Sequence, residues 1–344
     1  MEDGRPTGLV NLGNTCFMNA CLQILNQTPE LFTIVTKAAA HPDPSNVSDT
    51  SLAREWHALY KLMHQNHHAI SPNKFVQHVQ QLAQIKRRPL FTGWAQNDMA
   101  EFLLFLVDAI HRSMSRKVHV RIHAVTHQTI VDKLAVKCFT MLKEVYEKEY
   151  SEVLDLFYGI SVSELVSLDS KQVLNTKPEH FFLLDLPVPS PPESSTTLTA
   201  CFDAFVAPEL LTGDNAWFNE ATGTKVDVQK RTTFWNFPTI VAIALKRFDH
   251  GHGTVKLNTR VAFPVTGLDL SKYVSGYTPH RYMYDLYGVS LHEGSVHGGH
   301  YTSCVLTDKK TWVHFNDAHG QVMQDPDWTA WEQQAYCLFY RMRT

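Results

Sequence analysis

Cys16 stands in a setting that suits thiol chemistry. The segment before it, 8–15, is small and polar, and apolar residues that recur near helical spacing predict a helix over 16–35 that begins at the cysteine. A helix N-terminus presents unpaired amides and a partial positive charge, which favour the thiolate. Asn11 offers a neutral amide that can hold a developing oxyanion. The alternative is that Cys16 is an inert buried thiol, as most free cysteines are.

A nucleophilic cysteine also needs a base, usually a histidine, and a third group that orients the ring. The chain has 19 histidines, so a single one carries little information. His300, however, stands at the start of a predicted strand, and Asn316 and Asp317 end the next one. A hairpin that joins these strands would place Asn316 or Asp317 beside His300. The order cysteine, histidine, then Asn or Asp is that of papain-like enzymes.

The elements that must position these residues change in type along the chain. Helical periodicity in the first third predicts further helices over 51–68 and 96–111, with a polar loop over 41–50. After about residue 155, short alternating runs predict strands at 181–186, 239–248, 284–291, 301–306 and 311–315. The Pro- and Ser-rich stretch 187–197 is predicted to be a surface loop. The predicted fold class is α+β.

Composition narrows the class of protein. The chain has 344 residues, of which 44% are hydrophobic and 19% charged, and this is enough apolar material for a sizeable core. The formal net charge is −3, so no global positive field attracts phosphate backbones and we expect no nucleic-acid partner. No apolar run approaches the roughly 20 residues of a membrane span, and the first residues do not form a secretory signal. We therefore expect a cytoplasmic or nuclear protein with no membrane partner.

Six stretches, in order along nearly the whole chain, resemble five motifs of the ubiquitin-specific protease family, the papain-like cysteine proteases of peptidase family C19. They are 8–23 (GLVNLGNTCFMNACLQ), similar to the cysteine box; 96–102 (QNDMAEF), similar to Q-Q-D-x-x-E-F with Asn97 as the one departure; 245–248 (LKRF); 297–301 (HGGHY) with 312–317 (WVHFND), similar to the histidine box; and 336–340 (YCLFY), similar to a closing Y-L-L-F-Y strand. Their joint occurrence by chance is negligible.

The resemblance implies one catalytic domain over 8–341 with the papain-like fold of this family. A helical thumb would cover about 8–150. Strands over about 157–245, including the loop 187–197, would form the fingers, and a β-rich palm would lie mainly in 246–341. We expect no further module beside this domain.

The resemblance also assigns catalytic roles. Cys16 becomes the nucleophile, His300 the general base and then the acid, and Asn316 the residue that orients the ring. Asn11 becomes an oxyanion donor. Because a neutral amide cannot stabilise an imidazolium by charge, Asp317 is a second candidate for that support.

Substrate contacts are implied for Gln96, Asp98, Glu101, Gly299 and Tyr301. Asp98 is expected to contact arginines near the ubiquitin tail, although Asp98 and Glu101 also fit the acids that are favoured in the first turn of a helix. Tyr301 is expected to wall a narrow channel through which a Gly-Gly tail reaches the nucleophile, although it also fits an ordinary strand aromatic.

The fingers depart from a pattern that many family members share. Those members bind one zinc through two C-x-x-C pairs, whereas the six cysteines here form no such pair. The corresponding positions are Ser167, Ser170, Asn219 and Thr222, and none is a competent soft ligand. We predict no structural zinc, no other cofactor and free thiols throughout.

Other metal sites fit the sequence poorly. His292 and Glu293 begin an H-E-x-x-H pattern, but the next histidine, His297, comes one position too late, and nearby glycines disfavour a helix. His64, His67 and His68 fit a solvated helix face better than a metal site. A metalloprotease is therefore not expected.

The sequence thus predicts a thiol-dependent deubiquitinase that cleaves after the C-terminal glycine of ubiquitin. Its partners would be ubiquitin, ubiquitinated proteins and, in some assemblies, an activating protein. Two alternatives are a catalytically weak ubiquitin-binding scaffold on the same fold and a protease for a ubiquitin-like modifier. Intact Cys16, Asn11 and His300 argue against the scaffold.

Overall fold

The structure is a computed structural model, and it describes residues 6–39, 46–123, 129–190, 193–249, 255–295 and 298–343. Helices dominate the part up to residue 157, which we call the helical lobe. They are α1 (Cys16–Leu25), α2 (Pro29–Ala39), α3 (Val47–Gln65), α4 (Asn73–Ile85), α5 (Met99–Met114), α6 (Ile130–Lys148) and α7 (Glu152–Phe157). None of the described helices is long and apolar enough to cross a membrane.

Strands dominate the rest, with two short helices among them. The strands are β1 (Gly159–Ser167), β2 (Val173–Phe181), β3 (Leu183–Pro187), β4 (Ser195–Thr197), β5 (Glu209–Leu211), β6 (Trp217–Asn219), β7 (Thr224–Val226), β8 (Val228–Asn236), β9 (Ile240–Lys246), β10 (Phe248–Asp249), β11 (Val255–Lys256), β12 (Arg260–Ala262), β13 (Leu268–Asp269), β14 (Met283–Ser295), β15 (Gly298–Leu306), β16 (Trp312–Asn316), β17 (His319–Met323) and β18 (Ala335–Met342). The helices are α8 (Leu198–Val206) and α9 (Trp328–Trp331). The α+β class is confirmed.

Two larger sheets contain most of these strands, and β10 with β11 and β4 with β12 form separate pairs. In the described part of the chain, the large sheet has the order β17-β16-β15-β14-β18-β9-β3, with β13 paired to β14. The small sheet has the order β2-β1-β8-β5, and β6 and β7 form a separate hairpin. Inside the range predicted for the fingers, β3 and β9 therefore belong to the large sheet. The apolar run of β9 is buried from Ile240 to Leu245, as a strand covered on both faces requires.

Helix α1 lies between the helical lobe and the large sheet. All ten of its residues are buried, and it packs against α5 on one side and against β14, β15 and β16 on the other. A helix that is apolar nearly all round is stable only when other elements cover it completely. This burial places Cys16 at the junction of the two halves of the fold.

Three predicted boundaries were wrong. The single helix over 16–35 is two helices, because Pro29 lacks an N–H and fits only the first turn of a new helix. The predicted loop over 41–50 ends early, since α3 begins at Val47; residues 41–45 lie outside the described residues. The helix predicted from residue 96 begins at Met99, because Asp98 is its N-cap and accepts the N–H of Glu101 at 3.0 Å.

The strand predicted over 181–186 is also divided, because Phe181 ends β2 and β3 begins only at Leu183. The predicted surface loop over 187–197 starts at the last residue of β3, and its end pairs as β4 with β12. Residues 191 and 192 of this loop lie outside the described residues.

Candidate active site

The loop that leads into α1 is wrapped around the side chain of Asn11. Its Oδ1 accepts the backbone N–H groups of Gly13 and Thr15, each at 3.0 Å. Gly13 has a φ of 105°, a conformation that glycine adopts readily, and this lets the chain turn just before the helix. The Thr15 hydroxyl accepts the N–H of Leu12 at 3.0 Å. These bonds fix the entry into α1 and therefore the position of Cys16.

The Cys16 thiol is buried, with the residue 3% exposed. Burial is the main cause that raises its pKa, and the negative charge of Asp317 raises it further. Backbone hydrogen bonds from Tyr301, Phe17 and Cys16 itself act in the opposite direction without cancelling this rise. The pKa of the Cys16 thiol is therefore raised, whereas the sequence-based expectation was that the helix N-terminus favours the thiolate. The sulfur contacts the backbone of the residue that follows His300, and a base is needed to deprotonate it.

The hairpin predicted near the C-terminus is present and brings His300 to Asn316. Strands β15 and β16 pair in the register Ser303 with Phe315, and the two side chains meet beyond the last paired residues. The His300 Nε2 lies 2.8 Å from the Asn316 Oδ1. Since a carbonyl oxygen only accepts, Nε2 carries the hydrogen and the lone pair of the neutral ring lies on Nδ1. This is the tautomer that a base acting through Nδ1 requires.

Asp317 lies where three parts of the site meet. Its Oδ2 accepts an N–H of Asn11 at 3.0 Å, and its Oδ1 accepts an N–H of Asn19 at 2.8 Å. The same Oδ2 is 3.8 Å from the His300 Nε2, too long for a hydrogen bond but close enough for charge to act. Asp317 holds this position at a φ of 49°, which non-glycine residues adopt at some cost.

Asn19 is a site residue that the sequence analysis missed. It lies three residues after Cys16, so both side chains lie on neighbouring parts of one helix face. That spacing is the signal that could have found it. Its importance shows only when the carboxylate of Asp317, almost 300 positions later, is placed beside it.

The geometry limits how Asn11 can act. Its side-chain oxygen is occupied by the loop, and one N–H of its amide is occupied by Asp317. A side-chain amide has two N–H groups, so one remains for a developing oxyanion.

An open cleft of about 1070 Å³ runs from this site between the helical lobe and the large sheet. It is lined on one side by residues of the α5 region and on the other by β9, β14 and β15, and Cys16 is among its lining residues.

Comparison with known proteins decides the family. The model of the ubiquitin carboxyl-terminal hydrolase family matches residues 7–340. The chain belongs to this family. The resemblance found in the sequence motifs is thereby confirmed.

Curated relatives agree with this assignment. Ubiquitin carboxyl-terminal hydrolase 2 of Homo sapiens is 33% identical over 344 residues, which covers 97% of this chain and 55% of the human protein. The Gallus gallus protein of the same name is 34% identical and covers 98% of this chain and 93% of its own length. The chain thus spans about half the length of the human relative and nearly all of the chicken one.

Solved structures show the same fold. A chain of the SAGA DUB module of Ubp8, Sgf11, Sus1 and Sgf73, solved with bound monoubiquitin, matches with a TM-score of 0.73 and 22% identity, covering 100% of this chain and 71% of that one. The same module with ubiquitin aldehyde matches with a TM-score of 0.72 and 21% identity over 100% and 71% of the two chains. The helical lobe, the large sheet and the small sheet are accordingly the thumb, the palm and the fingers of the family fold.

Gln96 and Gly299 join the thumb to the palm. The Gln96 Nε2 donates to the carbonyl oxygen of Gly299, and the Gln96 Oε1 accepts its N–H, both at 3.0 Å. The amide thus pairs with a peptide group as a neighbouring strand would. The two residues predicted to contact substrate thus hold each other, directly before His300. The motif's His297 lies outside the described residues.

Asp98 and Glu101 fit the helix-terminus interpretation at least as well as a substrate role. Asp98 caps α5 through Oδ1, and its Oδ2 accepts the hydroxyl of Tyr336 from the palm. Glu101 is exposed overall, but partial desolvation of its carboxyl, together with the charge of Asp98, raises its pKa. Both line the cleft. The structure therefore places both carboxylates at the cleft that a substrate would occupy. It does not show that either one binds the substrate.

Tyr301 forms part of an aromatic wall. Its ring lies 4.6 Å from His292 and 5.6 Å from Tyr336, centroid to centroid. Burial, together with the charges of Lys256 and His300, lowers the pKa of His292 to about 4, so this ring is neutral near pH 7. A side chain in place of Gly299 would collide with the His292 ring.

Arg247 of the LKRF motif is a structural residue that the sequence did not reveal. It is completely buried, and its guanidinium donates to the backbone oxygens of Ala335, Leu257, Thr259 and Glu332 at 2.6 to 3.0 Å. It thereby ties two segments of the palm, 257–259 and 332–335, to the end of β9.

The residues at the four positions compared with zinc ligands make hydrogen bonds within local turns. Ser167 accepts the N–H of Ser170 at 3.1 Å, and the Asn219 Oδ1 accepts the N–H of Ala221 at 3.0 Å. Thr222 bonds its hydroxyl to that of Thr224 at 2.8 Å. Within the described residues, no three His, Cys, Asp or Glu side chains converge as a metal site would need.

Proposed function

We propose that this chain is a thiol-dependent deubiquitinase that hydrolyses the isopeptide or peptide bond after the C-terminal glycine of ubiquitin. The observation that carries the proposal is the His300 ring, which Asn316 fixes at 2.8 Å in the tautomer that a base acting through Nδ1 requires. Tyr301, the next residue, lines the same cleft as Cys16. The family supplies ubiquitin as the substrate.

The chemistry runs in two stages. The His300 Nδ1 takes the proton of Cys16, and the sulfur bonds to the carbonyl carbon of the last ubiquitin residue. The oxyanion is held by the free N–H of Asn11 and the backbone N–H of Cys16. The C–N bond then breaks, and His300 gives its proton to the leaving lysine amine. Water, deprotonated by His300, hydrolyses the thioester and restores the thiol.

Asn316 and Asp317 divide the support of His300 in this scheme. Asn316 fixes the tautomer through its hydrogen bond. Asp317 adds a negative charge 3.8 Å from Nε2 when the ring becomes an imidazolium. The Asp317 carboxylate also orients Asn11, so it supports both the base and the oxyanion donor.

Substrate contacts follow from the lining of the cleft. Gln96, Asp98, Glu101, Gly299 and Tyr301 all line it, which supports their predicted contacts with the ubiquitin tail. Since the tail must reach the Gly299 backbone, it would compete with the side chain of Gln96 there. The grip of palm and fingers on the folded part of ubiquitin would supply binding energy far from the scissile bond.

The proposal includes no zinc and no cofactor, and a cytoplasmic or nuclear location. The four finger positions that would have to supply zinc ligands hold serine, threonine and asparagine, which supports the absence of zinc. Metal analysis of the purified protein would contradict it by finding one zinc per chain.

A ubiquitin probe with an electrophilic C-terminus tests the proposal. We expect covalent labelling of the wild type, none of Cys16→Ala, and undiminished labelling of Cys21→Ala, a matched variant on the same buried helix. Labelling of Cys16→Ala would refute the nucleophile. Binding of ubiquitin without hydrolysis of a fluorogenic ubiquitin conjugate would favour the scaffold, and faster hydrolysis of another modifier conjugate would favour the ubiquitin-like substrate.

A further inference from the structure

Asn19 is held between the nucleophile helix and the catalytic turn after β16. It is 2% exposed and lies one turn after Cys16. Its Nδ2 donates to the Asp317 Oδ1 at 2.8 Å and to the carbonyl oxygen of Leu9 at 3.2 Å, which uses both N–H groups. Both partners are acceptors, so the orientation of the amide is determined.

The other end of this amide points to a role beyond packing. Among the described residues, the Asn19 Oδ1 is buried with no hydrogen-bond partner. An unpaired buried carbonyl costs about 1–3 kcal/mol, which an apolar residue in a fully buried helix would avoid. The benefit of asparagine therefore lies in what its N–H groups hold, and the shorter of the two bonds goes to a carboxylate.

That carboxylate has a competing partner. The Asp317 Oδ2 is 3.8 Å from the His300 Nε2, whose hydrogen is donated to Asn316. A carboxylate is a stronger acceptor than an amide oxygen. If Asp317 could turn, it would take this hydrogen and release Asn11 from its 3.0 Å bond. Asn19 donates to the other oxygen, Oδ1, and this bond opposes the rotation.

We propose that Asn19 is a positioning residue for the proposed hydrolysis. By holding Oδ1 it keeps the Asp317 carboxylate turned toward Asn11, so that Asn316 orients His300 and Asn11 faces the oxyanion. Because Asn19 and Cys16 share one helix, the same bond sets the distance between the nucleophile and the catalytic turn. The inference rests on the proposed function, and it concerns Asn19, which acts through Asp317 and touches no substrate.

A double-mutant cycle on a fluorogenic ubiquitin conjugate tests this directly. We expect Asn19→Ala to lower kcat roughly tenfold or more with KM changed less than about twofold, because a positioning defect acts on the reaction step. In the Asp317→Ala background the same substitution should change kcat by less than about twofold, since its partner is gone. Equal losses in both backgrounds would overturn the proposal and leave Asn19 a purely structural residue.

Asn19→Asp is a nearly isosteric second variant that keeps the test decisive if the alanine variant folds poorly. It sets a second carboxylate against the Asp317 Oδ1, and two ionised carboxylates at this distance repel each other. Activity relative to wild type should therefore fall as pH rises from about 4.5 to 7. A ratio that does not change with pH would contradict the proposal.

Alkylation of Cys16 by iodoacetamide separates this inference from the proposed function, because it needs no ubiquitin. The cycle of Asn19→Ala and Asp317→Ala is repeated with the rate of Cys16 modification, followed by mass spectrometry. We expect Asn19→Ala to change this rate by roughly twofold or more in the native background and not in the Asp317→Ala background. If the protein fails to hydrolyse ubiquitin conjugates yet shows this coupling, the proposed function is refuted and the inference about Asn19 stands. Independent effects would refute the inference alone.

Discussion

Gly8→Ala should disable the site through one added methyl group. Gly8 lies against the backbone of Ala318, directly after Asp317, and a Cβ added there would lie 2.2 Å from the Ala318 carbonyl oxygen. Real Cβ atoms essentially never approach closer than 3.0 Å, and the collision is with backbone, which cannot swing away. The loop before Cys16 and the turn after β16 must therefore separate by about 0.8 Å or more.

That displacement acts on the bonds that join the two halves of the site. The Leu9 N–H donates to the Asp317 carbonyl oxygen at 2.9 Å, and Asn11 donates to its carboxylate at 3.0 Å. A shift of that size would lengthen both of these bonds beyond hydrogen-bonding distance. Losing them should cost about 2–4 kcal/mol of the free energy of unfolding, with the bond to the charged group the larger part. A misplacement near 1 Å should lower kcat/KM by roughly 10²-fold.

The assay is hydrolysis of a fluorogenic ubiquitin conjugate together with urea unfolding. Gly93→Ala is the matched control, because a Cβ at Gly93 meets nothing within 4 Å. We expect the control to keep wild-type kcat/KM and stability. If Gly8→Ala matched the control in both measurements, the contact between the cysteine loop and the catalytic turn would not position the site as argued.

Three further substitutions test other parts of the structure. Asn316→Ala should lower kcat roughly 10- to 100-fold with little change in KM, because the His300 tautomer loses its support; a kcat within about twofold of wild type would contradict that role. Arg247→Met should lower the free energy of unfolding by about 3–5 kcal/mol, since four backbone oxygens lose a buried donor; an unchanged urea midpoint would contradict that role. The depressed pKa of His292, about 4 against an ordinary value near 6.5, means that the unfolded chain binds more protons between these values. Stability should therefore be complete above about pH 6.5 and fall by up to about 3 kcal/mol as pH drops toward 4, and urea titrations of His292→Gln should lose this part of the dependence.

Local patterns predicted the elements on which the candidate reacting groups lie. A cysteine after a small polar segment begins a helix, and a histidine and an asparagine lie at adjacent ends of a hairpin, as the alternation of residues 301–306 and 311–315 indicated. Both features depend on neighbours a few residues away along the chain. The helix boundaries at Pro29 and Asp98 were missed, although proline and N-cap residues carry local signals for them.

Tertiary contacts determined the hydrogen-bond partners of these groups and how readily they ionise. Burial, which no local pattern gives, made the Cys16 thiol harder to ionise than its helix position suggested. Asn19 and Asp317 meet across 298 positions, and Gln96 and Gly299 across 203. Such pairs form only because of how a helix docks on a sheet and of the register of its strands. Neither residue of a pair indicates from its own sequence neighbourhood which distant residue it will contact. The sequence alone therefore determined the kind of chemistry and its family, whereas packing between distant segments determined the geometry that makes it possible.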